Sequence, residues 1–152
     1  MEFVDYEQLL SLMTQADLTL RVERVVGDFI IAGTPLAYIQ PAPKHNAALQ
    51  AQINDAFALG NTRTMQQDIA FGIRQIVDIG LKAISPAVND PTTAVNCIDY
   101  LGVILITLAT RQFPALNRTD ATGKLRVLAR EMAFQDFADL AFDQLRFFGA
   151  AD

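Results

Sequence analysis

The sequence predicts an α+β fold with a helical majority: a small N-terminal β-rich module, then a helical core built on a central antiparallel helix hairpin. Three observations predict it. "LTLRVERVV" alternates apolar and charged residues from Leu18 to Val25, the period of a half-buried strand. Apolar residues recur at helical spacing on both sides of the polar stretch "SPAVNDPTTAVN", Ser85 to Asn96. Those two helical stretches are separated by only a few residues, which makes them antiparallel neighbours. The expected division is residues 1–43 for the β module and 44–152 for the helical core with one late strand, together one compact unit.

Taken in order, "DYEQLLSLM" opens a helix with Asp5 as N-cap and Leu9, Leu10 and Met13 on one side. The strand at Leu18 follows. "VGDFIIAGTPLAYIQP" places glycines Gly27 and Gly33 around a short apolar strand in which Phe29 and Ile31 alternate. "PAPKHN" is a linker, because Pro41 and Pro43 forbid helix. Asn46 caps a helix carrying Leu49, Ile53 and Phe57, stopped by Gly60. "TMQQ", Thr64 to Gln67, matches a capping box for a helix with Ile69, Ile73, Ile76, Val77, Gly80 and Ile84. That helix ends near Ser85, since the residue before Pro86 is pushed out of the α region. Asp90 or Asn89 caps the next helix, with Pro91 in its first turn. It runs to about Arg111 and is apolar nearly all round after Tyr100, which predicts a place at the centre of the core. "DATGK" is a turn and "LRVLAR" a strand. The last helix, "FQDFADLAFDQLRFFG", turns Phe134, Phe137, Ala141, Leu145 and Phe148 inward and stops at Gly149.

The composition excludes several classes of function. Hydrophobic residues make up 51% of the 152 and charged residues 19%, with a net charge of −5. An acidic chain with scattered Arg and Lys lacks the concentrated basic face that nucleic acid or anionic lipid requires. Cys97 is the only cysteine, so neither an intrachain disulfide nor a thiolate metal cluster is expected. The longest apolar run, "LGVILITLA", is about half the length of a bilayer span, and the expectation is a soluble chain without a signal peptide. No P-loop, G-x-S-x-G or H-E-x-x-H is found, and the lone His45 sits in the linker. No catalytic residue, metal or cofactor is assigned.

"RVERVVGDFIIAGTPLAYI" resembles half of a lipoyl- or biotin-carrier domain, which implies a barrel-sandwich-like module. The carrier's exposed lysine at a hairpin tip is missing, so no prosthetic group is expected.

The polar stretch at Ser85 supports two readings. In one, Arg74, Asp78, Asn96 and Asp99 line a polar pocket with Ser85, Asn89 and Thr93 at its rim. The helix N-terminus at Asp90 then offers backbone N–H groups to an anion or polar metabolite. In the other, the stretch is a capped turn, backed by a buried ion-pair network that fixes the register of the hairpin. An enzyme using carboxylates and Ser85 is a third reading, with no base placed beside Ser85 by any motif.

From "VDYEQLLSLMTQADLTLRVERVVGDFIIAGTPLAYI" through "QDIAFGIRQIVDIGLKAISPAVNDPTTA" to "FADLAFDQLRFFG", the chain resembles the C-terminal part of an uncharacterised family of bacterial predicted membrane proteins, domain of unknown function 2254. The resemblance places the family signature on Gln67, Asp68, Phe71, Gly72, Arg74, Gln75, Asp78, Ser85, Pro86, Asn89, Asp90, Pro91 and Thr93. It implies transmembrane helices preceding this region, a full-length protein in the bacterial inner membrane, and a soluble domain here. The single unpaired Cys97 and the lack of disulfide features lead to the expectation that this domain lies on the cytoplasmic side. The function expected is a non-catalytic assembly, sensing or gating module that forms homo-oligomers and works with the transmembrane segments. A small-molecule or anion site at the hairpin is the alternative.

Overall fold

The computed structural model describes residues 1–42, 46–60 and 68–150. They form an α+β fold in two compact units. The first comprises residues 1–67 and 114–131, the second residues 68–113 and 132–152. The division expected near residue 43 therefore falls at 67. The reason is packing: Ile53 and Phe57 share a core with Leu20 and Val127, so the second helix and the late strand both join the β module.

In the first unit the elements are β1 (Phe3–Val4), α1 (Tyr6–Ala16), β2 (Thr19–Val22), β3 (Ala37–Gln40), α2 (Ala47–Asp55) and β4 (Phe57–Ala58). The Asp5 carboxylate accepts from Gln8 N at 2.9 Å and caps α1, which buries Leu9 and Met13. Asp17 ends the helix in the left-handed region, φ 54°. β1 pairs with β4. Two further strands, β5 (Asn117–Thr119) and β6 (Leu125–Leu128), complete a four-stranded sheet of order β3-β2-β6-β5. β2 pairs antiparallel with β3, Leu20 opposite Ile39, and parallel with β6, Leu20 opposite Val127. Leu9, Met13, Leu20 and Val127 are sealed from solvent.

The lipoyl-like character expected of residues 1–43 finds no counterpart here. No strand forms at Phe29–Ile31; those residues lie in a loop with Phe29 91% exposed. β2 finds its second partner in β6, more than a hundred residues along, instead of in a local hairpin. Gly27 and Gly33 do take positive φ, 94° and 85°, at the turns of this loop.

One end of the sheet is held by charge. The Arg126 guanidinium, 7% exposed, donates to the Asp120 carboxylate at 2.7 Å and pairs with Asp17 at the same distance. Lys124 reaches Asp17 at 2.6 Å. A nearly buried guanidinium is tolerated only with such paired carboxylates.

The second unit contains α3 (Ile69–Ala83), α4 (Pro91–Ala109) and α5 (Phe134–Gly149), each packed on the other two. Asp68 caps α3 by accepting from Phe71 N at 2.9 Å. The capping box expected at Thr64–Gln67 lies outside the described residues, as do Lys44 and His45 of the linker. The core is Ile73, Val77, Leu101, Leu105, Leu108, Phe137, Ala141 and Leu145. At Gly80 the helices approach closely: a Cβ there would lie 2.9 Å from Leu145 Cδ2 and 3.4 Å from Cys97 Cβ.

Two expectations are corrected in this unit. α4 is not central: it buries only the row Ala94, Cys97, Leu101, Leu105 and Leu108. On α5, Phe137, Ala141 and Leu145 are buried, but Phe148 is 57% exposed and Phe134 is only partly covered. In a three-helix unit each helix has two neighbours, so a helix that is apolar all round keeps an uncovered side.

Candidate functional site

The turn between α3 and α4 is built almost wholly from its own hydrogen bonds. Ser85 Oγ donates back to the Lys82 carbonyl at 2.7 Å. The Ser85 carbonyl accepts from Val88 N and Asn89 N at 3.0 and 2.8 Å, and Asp90 N donates to the Ala83 carbonyl at 2.8 Å. Asn89 adopts a left-handed conformation, φ 48°, which Asn tolerates better than most residues. The Asp90 carboxylate then accepts from Thr93 N at 3.0 Å and from Thr93 Oγ1 at 2.6 Å, capping α4 above Pro91. The Thr93 hydroxyl, followed by its N–H, holds the Asp90 carboxyl below the usual carboxylate range.

Ser85, Asn89, Asp90 and Thr93 are thus gathered at one turn. The remaining candidates are not. Arg74 donates to Gln144 Oε1 on α5 at 2.8 Å instead of pairing with Asp78. Asp78, Asn96 and Asp99 are exposed and make no ion pair or hydrogen bond with other described residues. The capped turn is present; the ion-pair network expected behind it is absent among the described residues. Register is set instead by the apolar row and by the close approach at Gly80. No group of three His, Cys, Asp or Glu side chains among the described residues could hold a metal ion.

Two features were missed by reading the sequence. The first is the outer face of α4. Val95, Ile98, Gly102, Ile106 and Ala109 follow at steps of three and four and form one continuous stripe. Ile106 is 69% exposed, Val95 and Ile98 are also open, and nothing lies within 4 Å of a Cβ built on Gly102. The pattern was visible as apolarity but was assigned to the core. The second is a cavity of about 490 Å³ in the first unit, between α2 and the segment from Thr34 to Ile39. Its signal was the row of amides Asn46, Gln50 and Asn54, spaced by four beside Leu49 and Ile53.

α4 also has the length and composition of a bilayer span: 19 residues, mean hydropathy 1.6, with 28% of its most apolar window buried. The nine-residue run that pointed to a soluble chain sits inside this longer helix. Fold and surface together define a class: an α+β module carrying one long, half-uncovered apolar helix. The chain belongs to the family described as predicted membrane protein, DUF2254, whose model matches residues 1–152. It is 31% identical over 157 residues to an uncharacterised protein of Mycobacterium bovis (Mb1321c), and equally so to one of Mycobacterium tuberculosis (Rv1290c). Each alignment covers 100% of this chain and 30% of the relative, so the chain spans under a third of those proteins' length. No solved structure matches it significantly.

Proposed function

We propose that this chain is the assembly module of a bacterial inner-membrane protein, lying on the cytoplasmic side, and that it joins two copies through α4. It contributes sensing or gating to the membrane-embedded remainder and no chemistry of its own. The observation that carries this reading is the exposed stripe Val95, Ile98, Gly102, Ile106 and Ala109.

The stripe is self-complementary about Gly102. In an antiparallel pair of α4 helices centred there, Ile98 of each copy meets Ile106 of the other and Val95 meets Ala109. Such a two-fold contact closes on itself and cannot propagate into a fibre. With no Cβ at Gly102, two backbones can approach closely at the crossing. The hairpin as an anion site is less well supported, because the Asp90 carboxylate already occupies the place at the helix N-terminus that an anion would take.

Sedimentation of the 152-residue chain tests the reading. The expected result is a dimer, with Ile106→Glu weakening it by about a hundredfold, since two copies each lose roughly 1.5 kcal/mol of burial. Gly102→Cys should cross-link under oxidation, whereas Asn96→Cys should not. A strict monomer at millimolar concentration rejects α4 as an assembly face.

A further inference from the structure

We infer that the cavity in the first unit is a binding site for an uncharged small organic molecule with an apolar body and an amide-like edge. The inference is independent of α4 and of assembly. The volume, about 490 Å³, falls within the range of small-molecule sites, roughly 300–1,000 Å³.

The lining specifies the chemistry. The floor is Leu20, Ile53 and Phe57, all buried, and Leu36 forms part of a wall. This surface accepts an apolar body and gives nothing to an ion. No charged side chain lines the cavity among the described residues. A charged ligand would lose hydration with no counter-charge among the described lining residues to replace it.

Along α2 the cavity presents Asn46, Gln50 and Asn54, one above another at steps of four, beside the apolar row Leu49 and Ile53. The Asn46 side-chain oxygen is engaged in capping α2, accepting from Leu49 N at 3.1 Å, which leaves its NH2 group to donate elsewhere. The Gln50 and Asn54 side-chain amides have no hydrogen-bond partner among the described residues. Each primary amide offers both a donor and an acceptor. Such a row matches a ligand edge that alternates donor and acceptor, as an amide, lactam or urea does. Thr34 adds a hydroxyl to the lining.

The test uses benzamide as the neutral probe, benzoate as its charged counterpart and toluene as its apolar one, followed by methyl NMR on the intact chain. Benzamide is expected to shift the methyls of Leu20, Leu36, Leu49 and Ile53, with benzoate about tenfold weaker because its charge is desolvated unpaired. Gln50→Leu should weaken benzamide by about fivefold, one neutral hydrogen bond, and leave toluene unchanged. Ala37→Phe, in the cavity wall, should abolish binding of both while circular dichroism stays native and melting falls only by the cost of overpacking. The inference is overturned if none of these methyls moves with any probe, or if benzoate binds as well as benzamide. Equal loss of toluene and benzamide in Gln50→Leu, or binding that survives Ala37→Phe, overturns it as well.

Discussion

Three carboxylates are held in their charged form by the fold. Lys124 and then Arg126 pull Asp17 down, the Thr122 hydroxyl and Arg126 pull Asp120 far below its usual range, and Thr93 does the same for Asp90. A carboxyl whose folded pKa is depressed contributes stability that is complete above the unfolded value, about 4. It is lost as pH falls through the lowered folded values, because the unfolded chain then binds more protons. Melting temperature should therefore be flat near neutral pH and drop below about pH 4. Asp120→Asn should start lower and fall less steeply on the acid side. Asp90→Asn should flatten its share while keeping α4 capped, since Asn caps as well as Asp. The caps at Asp5, Asn46 and Asp90 were legible because a cap needs only its own side chain and the next three residues. The Arg126 cluster was not, because Asp17 and Arg126 meet only after the strands have paired.

Two glycines inside helices should behave oppositely when replaced. Gly80 sits where Leu145 and Cys97 leave no room, so Gly80→Val should destabilise by about 2 kcal/mol through overpacking. Gly102 faces open space, so Gly102→Ala should stabilise the isolated monomer by up to about 1 kcal/mol of helix propensity. The same change should weaken the dimer, because it adds a methyl at the crossing point. Melting curves at low and high protein concentration separate the two effects. Periodicity placed Gly80 in the apolar row of its helix, but the close approach there and the open face at Gly102 could not be read from sequence. The outer stripe of α4 was misread for a related reason. A helix apolar on all sides carries no moment to say which side is covered. That choice depends on how many neighbours the helix finds.

On the scale of the whole molecule, the α+β class and its helical majority followed from periodicity, which is local. The division into units did not, because each unit is assembled from two separated stretches of chain. No periodicity announces that residues 125–128 complete a sheet begun at residue 19. The parallel pairing of β2 with β6 has a consequence for biosynthesis. Leu20 leaves the ribosome about a hundred residues before Val127, its partner. At roughly 5–20 residues per second that is a delay of about 5–20 s. Throughout it, β2 presents one edge with free N–H and C=O groups, the kind of edge that recruits other chains. A fragment ending at Phe113 should consequently sediment as aggregate when expressed, and one extended to Glu131 should recover in the soluble fraction. The order of manufacture, as much as the finished fold, determines when this protein is exposed to misassembly.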